Sequence, residues 1–213
     1  MRPWRKARAG TALLLVATLG GCLGAAPPVP RDHYYRIVVP APTAPTAARF
    51  EGVIDVPPIA ADGLLRERPL LYSPGGDSNE MLQHDYHYWS EPPPRMLQMQ
   101  LVDYLRRSGL ATMVVTPDLR VPADYEISGR IRRLERLLGD GPPRIVAELE
   151  LAMIGTAGGR LVVIQSYRAE RAAADESVAS SVQAMNQALE EIFARFVNDA
   201  GRSETALRPK SKD

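Results

Sequence analysis

The sequence predicts one α+β domain, with a mainly antiparallel or mixed sheet and two main helices packed on one face. Short segments that are apolar or alternate in polarity, bounded by proline and glycine, recur along the chain and predict strands. Two longer segments, one central and one near the C-terminus, carry apolar residues at helical spacing. Helices that are separated by runs of strands favour an α+β fold.

The first 21 residues have the features of a bacterial secretory signal. A basic segment without acids, residues 1–8, precedes a short apolar run at residues 11–19 and the sequence Leu-Gly-Gly-Cys that ends at Cys22. The run is shorter than the roughly 20 residues that a membrane-spanning helix needs. The ending resembles a lipobox, whose cysteine carries lipid. A cleaved signal without lipid is the alternative, but it would leave the only cysteine of the chain here by accident.

We therefore expect a lipoprotein signal peptide at residues 1–21 and a covalent lipid on Cys22, with no other cofactor. Cleavage would remove four of the 26 basic residues and leave 22 against 25 acidic ones, a net charge of about −3 that argues against nucleic-acid binding. Leu23 is not the aspartate that tends to retain proteobacterial lipoproteins in the inner membrane, so the outer membrane is favoured. A lipidated Cys22 would leave no thiol for disulfides, catalysis or metals.

The mature chain is predicted to contain a tether, a periplasmic domain and a tail. Residues 22–32 are small and proline-rich after the cysteine, which is typical of a linker. The domain spans residues 33–200, and the polar residues 201–213 are expected to be disordered.

Eight segments of the domain are predicted to be strands. They are residues 33–39, 50–56, 69–73, 84–89, 111–115, 125–132, 145–154 and 160–171. A short helical turn is expected near Asp62-Gly63, and the sequence Gly-Thr-Ala-Gly-Gly at residues 155–159 predicts a hairpin between the last two strands. The strand at 145–154 presents one apolar face. Its members are Ile145, Ala147, Leu149, Leu151 and Met153.

The central helix is predicted to start at Pro94, with Ser90 as its cap, and to end at Gly109 in the left-handed conformation. Its apolar face consists of Leu97, Leu101, Val102, Tyr104 and Leu105. The last helix is predicted to start at residues 175–177 and to end at Gly201. Its apolar stripe consists of Val178, Val182, Met185, Leu189, Ile192, Phe193, Phe196 and Val197.

Two histidines invite a metal site, because His84 and His87 lie close to Asp85 and Glu91 in the sequence. Residues three apart on a regular strand point to opposite faces, so these imidazoles should diverge unless a bulge intervenes. We therefore expect no metal. The sequence also contains no Gly-x-Ser-x-Gly, no His-Glu-x-x-His and no phosphate-binding loop, and we expect no enzymatic activity.

Two segments are candidate partner-binding surfaces. One is the turn formed by Pro74, Gly75, Gly76 and Asp77, and the other is the end of the strand at His87–Trp89. On a regular strand His87 and Trp89 share one face. The aromatic residues there either complete the core or form an exposed contact surface.

Several blocks of sequence together resemble the family of ABC-type transport auxiliary lipoproteins, which includes PqiC-like proteins. Besides the cysteine motif, they are Tyr34-Tyr35-Arg36-Ile37, the segment DGLLRERPLLYS at residues 62–73, YWSEPPPRML at 88–97 and DYEI at 124–127. The third of these is the strongest match, because the family carries a tryptophan, an acid and proline just before its helix.

The resemblance implies a non-catalytic lipoprotein on the periplasmic face of the outer membrane. Its expected partners are an ABC transporter, with its permease and ATPase, and an MCE-domain protein that carries lipids between membranes, and self-association is compatible with this role. Two other classes stay open, which are a lipid-anchored carrier of a hydrophobic ligand and an envelope hydrolase.

Overall fold

The computed structural model describes residues 29–45, 50–76 and 79–207, with side chains as far as residue 203. Contacts divide the chain into two units, Met1–Arg31 and Asp32–Asp213, and the fold described here is that of the second. The predicted signal peptide, the lipidation site Cys22, the tether as far as residue 28, Asp77 and residues 208–213 lie outside the described residues.

The predicted fold class is confirmed, since eight strands form one mixed sheet and two long helices accompany it. The strands are β1 (His33–Tyr35), β2 (Phe50–Asp55), β3 (Pro69–Ser73), β4 (Leu82–Trp89), β5 (Ala111–Val115), β6 (Tyr125–Gly139), β7 (Gly141–Gly155) and β8 (Arg160–Ala172). The helices are α1 (Pro93–Ser108) and α2 (Val178–Leu207). Short 3-10 helices cover Gly63–Arg66, Pro117–Leu119 and Ala157–Gly159.

Strand β6 is the centre of the sheet because it pairs with three other strands. One edge pairs antiparallel with β7 along most of its length, and β7 pairs with β8. The other edge takes two shorter parallel partners, β2 at Tyr125 and Glu126 and β3 at residues 135–137. Strand β5 extends the first branch, whereas β4 and then β1 extend the second.

Strand β1 is shorter than predicted. The predicted strand reached residue 39, but regular pairing ends at Tyr35. The backbone N–H of Val38 donates to Asn186 Oδ1 at 3.0 Å and that of Val39 to Gln100 Oε1 at 2.8 Å. Amide side chains of the two helices thus replace the neighbouring strand as hydrogen-bond partners.

Helix α1 buries the predicted face, including Leu97 and Leu101, but it starts without the predicted cap. The N-cap is Pro92, and no side chain bonds to the first turn there. Ser90 lies too far before the first helical residue, and its hydroxyl is instead 3.6 Å from Met96 Sδ. The prediction that Ser90 is the N-cap is therefore wrong. The predicted ending is confirmed, because Gly109 has φ 68° and its N–H donates to the Arg106 carbonyl.

Helix α2 starts as predicted and runs further than predicted. The Ser180 N–H donates to Ser177 Oγ at 3.0 Å, which is the geometry of an N-cap. The helix continues through Gly201 to Leu207, so the predicted end at Gly201 and the predicted disorder of residues 201–207 are wrong. A glycine inside a helix costs only about 1 kcal/mol relative to alanine. Packing of the buried Ala200 and a 2.9 Å pair between Arg202 and Asp199 favour continuation.

The core lies between the sheet and the helices, and a bulge in β6 decides which residues enter it. The predicted apolar face of β7 is buried. In β6 the register shifts between Ile131, which pairs with Leu149, and Arg133, which pairs with Glu148. Because one residue is inserted there, the side chains of β6 that face the core are Ile131, then Leu134, and then Arg136. The bulge therefore turns an arginine towards the core.

Candidate functional site

The two segments predicted to bind partners lie at different ends of the β3–β4 pair. The turn at Pro74–Gly76 follows β3, whereas Trp89 ends β4, where its N–H donates to the Arg68 carbonyl. Trp89 is only 3% exposed and belongs to the core. We therefore withdraw Trp89 from the predicted contact surface, since the core alternative holds for this residue.

The turn remains a prediction, with Pro74 and Gly76 partly exposed and Gly75 exposed. Gly75 and Gly76 have φ values of 69° and 80°, which glycine adopts at little cost. The Gly76 N–H donates to the Leu138 carbonyl, so the turn is fixed beside the end of β6.

The prediction that His84 and His87 point apart is wrong. Tyr86 between them has φ 60°, which interrupts the regular alternation of side chains. The register against β3 shifts at the same place, from Leu71 opposite Gln83 to Pro69 opposite Tyr88. As a result the two imidazoles converge, with ring centroids 5.8 Å apart.

The third histidine of the chain joins this pair. Parallel pairing of β1 with β4 places His33 opposite His87, and their rings stack with centroids 5.1 Å apart. Tyr35 Oη lies 3.0 Å from His87 Nδ1. We call His33, His84 and His87 the histidine cluster. It contains all three histidines of the sequence.

A buried cation, Arg136, lies behind the histidine cluster with 5% of its surface exposed. Its guanidinium donates to His84 Nε2 at 2.8 Å, to Ser181 Oγ at 2.9 Å and to the Glu176 carbonyl at 2.9 Å. No salt bridge joins Arg136 to a carboxylate within the described ranges. A buried charge is costly unless it is hydrogen-bonded, and neutral acceptors supply the bonds here.

This environment keeps the imidazoles of His84 and His87 neutral at pH 7. Burial, the Arg136 cation and His87 lower the pKa of His84 to about 4. Burial, His33 and Arg136 also lower the pKa of His87. Because Arg136 can only donate, Nε2 of His84 must be an acceptor, and the ring proton is therefore on Nδ1. Burial lowers the pKa of Arg136 itself and raises that of Tyr35.

The cluster is a polar network and not an evident metal centre. Nε2 of His84 is occupied by an Arg136 donor, and a cation that close repels a metal ion. In the part of the chain that the structure describes, no group of three or more His, Cys, Asp or Glu residues is placed to hold a metal. Sequence reasoning missed His33, Tyr35 and Arg136 as neighbours, because their proximity depends on strand order and on two irregularities.

A narrow crevice lies between this network and the core. It is lined by Leu70, Leu71, Trp89, Leu134, Glu135, Arg136, Ile145, Ser181, Val182 and Met185. The space inside it is only about 10 Å³, far below the roughly 300–1,000 Å³ that is usual for ligand pockets. Glu135 is also already bonded, by Ser73 Oγ and by Arg133 Nε at 2.7 Å each. The crevice gives no support to the carrier alternative.

Comparison with known proteins identifies the family of this chain. The sequence model of the family "ABC-type transport auxiliary lipoprotein component" matches residues 35–196, and the chain belongs to this family. The match includes Tyr35, His84, His87 and Arg136. The predicted resemblance is confirmed.

Solved structures share the fold. A crystal structure of a Xanthomonas campestris protein from the family DUF330 superposes with a TM-score of 0.71 at 19% identity, covering 82% of this chain and 98% of that one. A crystal structure of an uncharacterized protein superposes with a TM-score of 0.61 at 14% identity, covering 80% and 99%. A comparison with curated proteins found no significant match. Over the described ranges, no helix has the length and apolar character needed to cross a membrane.

Proposed function

We propose that the protein is a non-catalytic lipoprotein of an MCE-type intermembrane lipid transport system, anchored to the periplasmic face of the outer membrane through lipid on Cys22. The observation that carries this proposal is membership, over residues 35–196, in the family of ABC-type transport auxiliary lipoproteins. The partners would be an MCE-domain protein and an ABC transporter, and the domain would contribute a folded contact surface.

The order of segments supports an anchor on Cys22. A basic segment, a short apolar run and the sequence Leu-Gly-Gly precede the only cysteine. From Cys22 to Asp32 the chain spans at most about 33–36 Å when extended, and less as a flexible tether. The domain would therefore act close to its membrane. Stable anchoring by two or more acyl chains follows from about 0.8 kcal/mol for each buried methylene.

Replacement of the cysteine tests the anchor. Cys22→Ser should abolish fatty-acid labelling and move the protein from the membrane to the soluble periplasmic fraction, or leave the signal uncleaved. Sucrose-gradient separation of inner and outer membranes then tests the location of the wild type. Unchanged labelling of Cys22→Ser would exclude this residue as the lipidation site.

Co-purification tests the partner. An MCE-domain protein from a neighbouring gene should co-elute with the lipid-anchored protein, and purified protein should hydrolyse no ester, phosphate or peptide substrate. Pro74→Glu should weaken co-elution if the turn is the contact surface. Met99→Glu is the matched control, because Met99 is 43% exposed on α1, well separated in sequence from the turn. Absence of binding in the anchored state, or reproducible hydrolysis, would refute the proposal.

A further inference from the structure

Strand β8 is an edge of the sheet, and its two halves present different surfaces. Among the described residues it pairs only with β7. Just after β7, the Thr156 N–H donates to the Asp124 carbonyl, which lies just before β6. Successive residues of an antiparallel strand direct their backbone groups to opposite sides. The even-numbered residues of β7 therefore hydrogen-bond to β6, and the odd-numbered residues hydrogen-bond to β8. Gln165, Tyr167 and Ala169 pair with odd-numbered residues of β7. The backbone groups of the even-numbered residues between them therefore point to the free edge.

Side chains cover this free edge in the C-terminal half of β8. Arg195 Nη1 donates to the Arg168 carbonyl at 2.9 Å, and Arg171 Nη1 donates to the Glu170 carbonyl at 3.1 Å. Gln165 Nε2 lies 3.5 Å from the Ser166 carbonyl. Long polar side chains on an edge strand are a known protection against pairing with another chain.

The N-terminal half of the edge is open and apolar. Leu161 is 53% exposed and Ile164 is 55% exposed. Leu161 pairs with Ile154 and Ile164 with Ala152, so a bulge at Val162 places both side chains on one face, although they are three residues apart. Both also have backbone groups that point to the free edge. In the described chain, no side chain donates to a carbonyl of residues 161–164.

We propose that this open half of β8, residues 160–165, pairs antiparallel with the same segment of a second copy of the chain. The segment Arg-Leu-Val-Val-Ile-Gln is self-complementary about its centre. A two-fold axis between Val162 and Val163 places Leu161 of each copy opposite Ile164 of the other copy. The dimer therefore contains two Leu161–Ile164 pairs, and both lie on the same face of the sheet. It places Arg160 opposite Gln165, so no like charges face each other.

A register centred on Arg168 is worse. An axis at Arg168 would oppose that arginine to its own copy and would displace the Arg195 and Arg171 side chains from the edge. The self-complementary segment thus coincides with the part of the edge that is not covered. Only two apolar cross-strand pairs hold the two copies together, so the dimer is weak and concentration-dependent.

Sedimentation velocity measures the mass of the particle and so tests the dimer. The full chain is purified in density-matched detergent and measured at increasing protein concentrations. The wild type should shift from monomer to dimer with increasing concentration. Ile164→Lys should raise the dissociation constant about 2- to 30-fold, because both Leu161–Ile164 pairs are lost. Met113→Lys is the matched control, since Met113 is 49% exposed on another edge strand, β5, and its substitution should leave the dimer unchanged.

A cysteine pair tests the register. A mixture of Leu161→Cys and Ile164→Cys chains should form a disulfide-linked heterodimer faster than either variant alone. If the wild type is monomeric at every concentration, the proposal is overturned. The open edge of β8 would then be available for a strand of another protein and not for a second copy. Equal dimerisation of Ile164→Lys and wild type overturns it as well. Circular dichroism establishes that each variant is folded.

Discussion

Acidification should destabilise the domain through His84. The folded pKa of His84 is about 4, below its ordinary value of 6.5, so between these values the unfolded chain binds more protons than the folded one. The contribution of this group to stability is therefore complete above about pH 6.5 and is lost as the pH falls towards 4. One pKa unit corresponds to about 1.36 kcal/mol, which gives a loss of at most about 2 kcal/mol between pH 7.5 and pH 5. Partial exposure of the ring reduces this to about 1–2 kcal/mol.

Urea unfolding of residues 32–213 at pH 7.5 and pH 5 measures this loss. His84→Gln keeps an acceptor for Arg136 and removes the titration. The loss of stability on acidification should therefore be smaller by about 1–2 kcal/mol in His84→Gln than in wild type. Carboxylates titrate in both proteins, and their contributions cancel in the comparison.

His33→Gln is the matched control. It removes an imidazole of the same cluster but preserves the bond between His84 and Arg136, so most of the acid sensitivity should remain. Identical pH dependence in wild type and His84→Gln would refute the reasoning. It would mean that the Arg136–His84 bond is absent in solution, or that His84 is solvated in the folded protein.

Three further predictions concern the helices, each measured as the free energy of unfolding in urea. Leu101→Ala should cost about 2–5 kcal/mol because Leu101 is fully buried, whereas Met99→Ala on the exposed face should cost far less; equal midpoints would contradict this packing. Ser177→Ala should cost about 0.5–2 kcal/mol through loss of the N-cap, and a similar cost for Ser90→Ala would argue against the observed helix start. Gly109→Ala should cost about 1 kcal/mol because φ is 68°, and no loss would exclude the left-handed cap.

Hydrophobic pattern was sufficient to predict the elements. The apolar stripes of α1 and α2 and the buried face of β7 follow from periodicity alone, because burial of apolar surface dominates the stability of regular elements. Errors occurred where local chemistry competes with that pattern. Serine is a suitable N-cap residue, but Ser90 lies two residues before the observed N-cap, Pro92. Glycine often ends a helix, but α2 continues through Gly201 to Leu207.

The parallel pairings were not predictable from pattern. Four pairings, β1 with β4, β2 with β5, β2 with β6 and β3 with β6, are parallel. Parallel partners are brought together by long connections, and nothing in the alternation of one strand specifies its neighbour. The contact between His33 and His87, which are 54 positions apart, therefore had no signal in the sequence.

The histidine cluster depends on departures from regular pairing that act together. The positive φ of Tyr86 brings His84 and His87 to one side, and the bulge in β6 turns Arg136 towards them. Each irregularity alone would leave a polar group short of a partner, since Arg136 would lose one of its three acceptors and His84 would lose its donor. A buried group without a hydrogen bond costs about 1–3 kcal/mol, and more when it is charged. The two irregularities therefore stabilise each other. A variant that disfavours the positive φ, such as the β-branched Tyr86→Val, should weaken the Arg136–His84 bond, and a double-mutant cycle between Tyr86→Val and Arg136→Met would measure that coupling.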